Sequence, residues 1–236
     1  MGGMRAGRRE FIQSAFVTAT AAVARSSSRA EGQKLAIPGP YRGRVIAVEH
    51  SGSIIGGAYQ RGPVQQMIER GMKELTGAPS WQDAWRVFFE KGDVVGIKVS
   101  PVGGPRLCSD ARVLGSIFEG LNQAGVSNRD IIVFNRYREE AVECGMDKWI
   151  RSGMQFDAAS KRYDTVQLDM RGYDPQHYME MALIKPGENP NDPHYRRSYV
   201  AKIVTQRVNK IINLPVLKHH QSAGVTIALK KCLTDL

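Results

Sequence analysis

The chain has 236 residues, of which 42% are apolar and 24% charged, and it carries a formal net charge of +10. These proportions are those of a globular protein whose core suffices for one domain or slightly more. The cationic residues are scattered among carboxylates, and there is no helix-turn-helix, RNA-recognition signature or basic–aromatic platform, which excludes nucleic acid as a partner. We interpret the charge mainly as a solvated surface, with a minority of it directed at an anion.

Residues 1–24 are predicted to be an export signal. Three arginines precede a modestly apolar run from Phe11 to Ala24, which ends in a small-residue pattern typical of a cleavage site. The stretch Arg8-Arg9-Glu10-Phe11-Ile12 resembles the twin-arginine signal, so the twin-arginine export machinery is an expected partner and the periplasm, or another extracytoplasmic space, the expected location. The run is too short and too rich in Thr and Ala to span a bilayer, so the mature chain should have no stable membrane span. Its charge would be +8, because the signal contains three arginines and one glutamate.

Residues 25–43 read as a polar linker and 44–236 as the folded domain. Its first predicted strand covers 44–48, followed by a glycine-rich loop. Next comes a helix with Pro63 in its first turn and Gly77 at its end, and then a second helix capped by Ser80.

A strand at 93–99, a helix from about Ser109 to Gly125 and a strand at 131–134 form a βαβ unit, which implies parallel pairing. The later predicted elements are a helix over 139–150, a short strand over 164–170, a surface insertion or lid up to 198, a helix over 199–208 and a strand over 210–214. The predicted fold class is α/β, an open and mostly parallel sheet with flanking helices.

Ligands of such sheets bind beyond the carboxyl ends of the strands, which points to two loops. The loop over 100–110 contains Gly103, Gly104, Arg106 and Ser109, where free backbone N–H groups and a helix dipole favour an anion. The alternative is a plain glycine-rich turn with a capping serine. The segment fits neither the phosphate-loop lysine pattern nor GxGxxG.

The loop over 215–224 offers Lys218, His219 and His220, with Lys230 a little later. Adjacent histidines point to opposite faces of a strand and chelate a metal poorly, so no metal site is predicted. A lysine beside an imidazole suits the binding of a carboxylate or phosphate, with proton transfer by the imidazole. The alternative is a solvated basic turn.

Cys108, Cys144 and Cys232 lie far apart and form no CxxC pair. Their odd number argues against a full disulfide framework, and their spacing fits no iron–sulfur motif. The cofactor is therefore unknown, and this chain alone is not expected to hold an iron–sulfur centre.

The segment VNKIINLPVLKHHQSAGVTIALKK, together with WRVFFEKGDVVGIKVSP and DIIVFNRYREE upstream, resembles the domain of unknown function (DUF) 362 family over most of residues 45–236. The resemblance implies an α/β fold and a candidate pocket but no settled activity. It adds Asn213 to the candidate ligand-binding residues, because this residue matches the family motif. Lys231 stands where the family usually has Asn, and the chain ends soon after the motif, so we expect it to be truncated at its C-terminus.

Two functions follow from these observations. The first is an extracytoplasmic enzyme that acts on a small anionic metabolite, in which Lys218 and Lys230 hold the anion, His220 moves a proton and the loop from Gly103 to Ser109 cradles a second negative group. The second is a non-catalytic module that binds a ligand or a redox partner. A third interpretation is an inactive fragment.

Overall fold

The computed structural model describes residues 39–104, 107–164, 166–181, 184, 186–221 and 224–228. The predicted signal at 1–24 and most of the predicted linker lie outside the described residues, as do Arg106 and Lys230. The chain divides between Arg42 and Gly43, and the fold below is that of the unit beginning at Gly43. Within the described ranges, no helix combines the length and hydrophobicity that crossing a membrane requires.

The predicted first strand at 44–48 is wrong. These residues have no regular structure and Val45 is 87% exposed, because no described strand pairs with them. The glycine-rich loop instead forms a small antiparallel hairpin of β1 (Ile54–Ile55) and β2 (Ala58–Tyr59). Gly56 and Gly57 have φ values of 58° and 78°, the positive values that a two-residue hairpin turn of type I′ needs.

Two helices follow, the first with both of its predicted ends and the second with its predicted start but ending at Arg86 instead of continuing to Glu90. Helix α1 (Arg61–Thr76) stops at Gly77, which is left-handed and donates its N–H to the Lys73 carbonyl. Helix α2 (Trp81–Arg86) begins after Ser80, whose hydroxyl accepts from the Asp83 N–H.

The predicted βαβ unit is confirmed. Strand β3 (Val95–Lys98) leads to helix α3 (Ala111–Gln123) and then to strand β4 (Ile131–Tyr137), which pairs with β3 in parallel. The N-cap of α3 is Asp110, whose carboxylate accepts from the Arg112 N–H, so the helix begins after Ser109 rather than at it.

The next segment differs from the prediction in three respects. Helix α4 (Arg138–Glu143) is short, because the left-handed Gly145 breaks the expected helix over 139–150 into α4 and a 3₁₀ turn over Met146–Trp149. Strand β5 (Gln155–Ser160), which was not predicted, then pairs in parallel with β4. The described residues of the range 164–170 do not form the expected strand, since Gln167 has a left-handed φ of 53° and hydrogen-bonds through its side chain to the Tyr199 backbone.

Much of the expected insertion is an antiparallel ribbon. Strand β6 (Tyr173–Glu180) pairs with β7 (Arg197–Ala201), and a short helix, α5 (Pro193–Arg196), precedes β7. The predicted helix over 199–208 is therefore wrong at its start, where pairing with β6 keeps the chain extended. Only Ile203–Arg207 turns, and it does so as a π-helix.

Strand β8 (Lys210–Asn213) returns to pair in parallel with β3, which completes a four-stranded sheet of order β5-β4-β3-β8. Helices and an all-parallel sheet confirm the α/β class. A further hairpin, β9 (Lys218–His220) and β10 (Gly224–Thr226), follows β8.

A polar cluster sets the register between β3 and β8. The Lys210 ammonium lies 2.7 Å from the buried Asp93 carboxylate, and the Asn209 side chain bonds both Asp93 and the Val94 N–H. These contacts fix the amino ends of the two strands, so their carboxyl ends also align.

Candidate functional site

The two loops chosen from the sequence lie at the same edge of the sheet. Lys98 is opposite Asn213 in the parallel register of β3 and β8, and the Leu214 N–H donates to the Lys98 carbonyl at 2.9 Å. The chain therefore leaves both strands side by side. This confirms the topology on which the candidate site depends.

Lys218 joins the two loops directly. Its ammonium lies 3.3 Å from Ser100 Oγ and 3.2 Å from the Leu107 carbonyl oxygen, and it also donates to the Val102 carbonyl. These acceptors all belong to the segment after β3. Lys218 thus fastens that segment to β9, while remaining only half-buried.

Ser109 bridges the two strand ends. Its side chain is buried, and its hydroxyl accepts from the Ser100 N–H and donates to the Leu214 carbonyl, both at 2.9 Å. The single hydroxyl proton is used in the second bond. The serine therefore holds the edge together from inside.

Gly103 and Gly104 shape the loop after β3. Gly103 has a φ of 95°, and the Gly104 N–H donates to the Pro101 carbonyl at 3.0 Å. A Cβ on Gly104 would lie 2.2 Å from the sulfur of Cys144, which itself donates to the Pro101 carbonyl. Glycine is needed here because the loop packs on this thiol, whose pKa is raised by burial and by the neighbouring Cys108.

His220 and Lys218 lie two residues apart on β9, opposite Gly224 and Thr226 of β10. His220 is half-buried, whereas His219 between them is exposed. The side chains of alternate strand residues share one face, which places Lys218 and His220 together. Within the described ranges, no group of three or more His, Cys, Asp or Glu side chains could hold a metal ion.

Sequence reasoning missed several buried polar residues at this edge. Lys98 is 1% exposed, and Ser100, Asn135 and Thr226 are equally buried. The Thr226 hydroxyl makes no hydrogen bond within the described part of the chain. Lys98 carried a usable signal, because it is the one charged residue in the apolar strand sequence VVGIKV.

The polar groups extend across the edge to β4 and β8. The Asn135 amide donates to the Tyr137 carbonyl at 2.9 Å and approaches Glu140 at 3.3 Å. On the other side, the Asn213 amide donates to the Ala228 carbonyl at 2.9 Å. Amine, amide and hydroxyl groups thus lie near the carboxyl ends of β3, β4 and β8, where they donate to protein acceptors that include the Glu140 carboxylate.

The model of one protein family, described as a domain of unknown function (DUF362), matches residues 95–234. The match covers more than half of the chain and runs from β3 to beyond β10, so it includes every group of the candidate site. No curated protein and no solved structure matches the chain.

Proposed function

The chain belongs to the DUF362 family, as its motifs predicted, and we propose that it is an exported protein that binds a small anionic metabolite at the carboxyl edge of its sheet and acts on it as an enzyme. The carrying observation is that Lys98 ends β3 opposite Asn213 of β8 and that Lys218 contacts Ser100 just beyond this strand end. A carboxylate or a phosphate is the ligand class that complements such donors.

Lys98 supplies the central charge in this proposal. An ammonium group that is 1% exposed has lost most of its hydration, which costs free energy. An anion bound at the strand end would interact with this charge in addition to the contact that Lys98 already makes within the chain. Lys98 and Ser100 are two residues apart on the chain leaving β3, so their side chains reach the same face of the sheet.

Lys218, which holds the loop, contributes its charge at the rim, and Asn213, Gly103, Gly104 and Ser109 form the walls. Arg106 and Lys230 belong to the proposed cation set from the sequence alone. His220 moves the proton in the proposed reaction, because an imidazole exchanges a proton near neutral pH and this one is on the same strand face as Lys218.

The alternative is a module that binds its ligand, or a redox partner, without catalysis. The engagement of the Lys218 ammonium by Ser100, Val102 and Leu107 favours it. In that case Lys218 has a structural role. It then takes no part in proton transfer, and His220 is left without this lysine to assist it.

The two functions are separated by matched histidine variants. Thermal-shift screening against acetate, lactate, citrate, inorganic phosphate and glycerol phosphate identifies the anions that raise the melting temperature of the protein, and NMR then follows their conversion. His220→Ala should abolish conversion and keep the thermal shift, whereas His219→Ala, the exposed neighbour, should leave both intact.

The proposal has clear points of failure. Lys98→Met should remove the shift produced by the monoanions acetate and lactate while the protein stays folded. Absence of a shift with every anion would refute ligand binding, and equal behaviour of the two histidine variants would refute the role of His220 and favour the binding module.

The proposed export rests on Arg8 and Arg9. Replacing both with lysine should retain the protein in the cytoplasm, as judged by fractionation of expressing cells. Unchanged export would rule out the twin-arginine route.

A further inference from the structure

A polar cleft lies beside β5, the edge strand of the sheet opposite β8. It has a volume of about 490 Å³ and is bounded by the edge strand β5, the turn before β6 and the π-helical turn over Ile203–Arg207. Strands β4 and β3 separate β5 from β8, so the cleft is remote from Lys218 and His220. Its volume falls in the range of small-molecule sites.

The described lining is strongly cationic. It contains five cationic side chains and two carboxylates, a formal excess of three positive charges. Both carboxylates are already paired, Asp157 with Arg207 and Asp169 with Arg171. The two bonds from Arg171, at 2.7 and 2.8 Å, lower the pKa of Asp169 to about 2, so this carboxylate stays ionised and committed to its arginine.

The three remaining cations are Arg138, Lys161 and Lys202, and none of them forms an ion pair with a carboxylate in the described part of the chain. Arg138 donates to the Phe156 carbonyl at 3.3 Å and lies over that ring, and Lys202 donates to the Arg171 carbonyl at 3.0 Å. Neutral groups therefore position two of these charges without cancelling them.

The wall of the cleft is closely packed. A Cβ on Gly172 would lie 1.7 Å from the Ala159 carbonyl oxygen, so the turn before β6 rests directly on the backbone of β5. Arg207 ties the other side to the same strand through Asp157 and Gln155. The cleft is thus formed before any ligand arrives, which lowers the ordering cost of binding.

We propose that this cleft is a second binding site, for a small oxyanion with two or more negative charges, either a phosphate compound or a polycarboxylate. A monoanion would leave most of the excess charge uncompensated, whereas a di- or trianion matches Arg138, Lys161 and Lys202. The proposal does not depend on the function of the carboxyl edge.

Calorimetric titration with pyrophosphate and citrate tests it, with acetate as the monovalent comparison and a salt series to report the ionic component. Pyrophosphate alone binding would indicate the phosphate class, and citrate alone the polycarboxylate class. The double variant Lys161→Ala/Lys202→Ala should weaken binding about tenfold, given the usual strength of exposed ion contacts. Lys91→Ala removes an exposed lysine elsewhere and should change nothing.

Variants at the two sites distinguish their failures. Lys161→Glu, an exposed change that leaves the core packing intact, should weaken polyanion binding further. Lys98→Met and His220→Ala should leave binding at this cleft unchanged. Loss of pyrophosphate and citrate binding in Lys98→Met with full affinity in the double lysine variant would assign the anions to the carboxyl edge and overturn the proposal. So would absence of binding by both polyanions.

Discussion

The ammonium nitrogen of Lys218 lies 3.3 Å from the hydroxyl oxygen of Ser100, a residue 118 positions earlier in the chain. Together with the bonds from the same ammonium to Val102 and Leu107, this contact ties β9 to the loop that follows β3. The candidate site is therefore assembled from chain segments that meet only in the folded state. Its rigidity depends on few side chains.

Replacing Lys218 with methionine should loosen the loop while keeping the aliphatic part of the side chain. The Gly104 and Leu107 amides, which hydrogen-bond within the loop, should exchange with deuterium roughly fivefold faster, as for a loss of about 1 kcal/mol in local stability. Mass spectrometry of exchanged peptides measures this. His219→Ala, an exposed change on the same strand, is the control, and equal exchange in both variants would contradict the role of Lys218.

Ser109→Ala should destabilise the whole sheet. It leaves the buried Ser100 N–H without its acceptor and removes the bond to Leu214, which should cost about 1–3 kcal/mol in the free energy of unfolding. Urea denaturation measures the loss. Ser116→Ala breaks only a local bond to the Arg112 carbonyl within α3, so a loss as large in this control would show that the bridge is not responsible.

Two glycines of helix α3 offer a matched pair. A Cβ on Gly120 would lie 2.0 Å from the Trp85 ring, whereas at Gly115 the nearest atom, on Arg151, would be 3.5 Å away. Gly120→Ala should therefore destabilise the protein by about 1–3 kcal/mol despite the better helix propensity of alanine. Gly115→Ala should stabilise it by about 0.4–1 kcal/mol. Thermal unfolding of both variants measures the difference, and equal melting temperatures would show that Trp85 does not pack on α3 as described.

Asp174 should contribute stability that depends on pH. The hydrogen bond from Thr205 and those from Gln176, Gln206 and His177 lower the pKa of its carboxyl from 3.8 to about 2. Because the folded pKa lies below the ordinary value, the contribution is complete above about pH 4 and is lost as the pH falls towards 2.

The unfolding free energies of the protein and of Asp174→Asn should accordingly differ at pH 6 and converge between pH 4 and pH 2. Glu49→Gln, an exposed carboxylate, controls for the lost charge. A difference that stays constant over this range would show that ionisation of Asp174 does not stabilise the fold.

The predictable parts of the fold are those with local signals. Gly77 ends helix α1 and Ser80 caps the start of helix α2, each through a short-range hydrogen bond. Runs of apolar β-branched residues mark β3 and β4. The shared edge of the two loops followed from parallel pairing alone. Strand β5, QFDAAS, lacks such a run because it lies at the edge of the sheet, and β6 contains Pro175 and several polar residues.

The functional roles of individual residues were harder to predict, because they depend on contacts between distant parts of the chain. Serine in a glycine-rich loop and lysine beside a histidine suggest an anion ligand, but Ser109 donates to Leu214 and Lys218 to Leu107, each more than 100 residues distant in sequence. Lys98 lies in an apolar strand sequence that we interpreted only as part of the hydrophobic core. Contacts of that separation are decided by topology, which no local pattern contains.

The position of β8 beside β3 also matters during synthesis. A nascent chain that has not yet reached residue 210 has β3 paired to β4 on one side only, with the other row of backbone donors and acceptors open to a wrong neighbour. The Asp93–Lys210 pair cannot form until residue 210 has left the ribosome, 117 residues after Asp93. We therefore expect the sheet to be completed slowly and late, when β8 pairs with β3. Until then the open edge of β3 should need protection by chaperones.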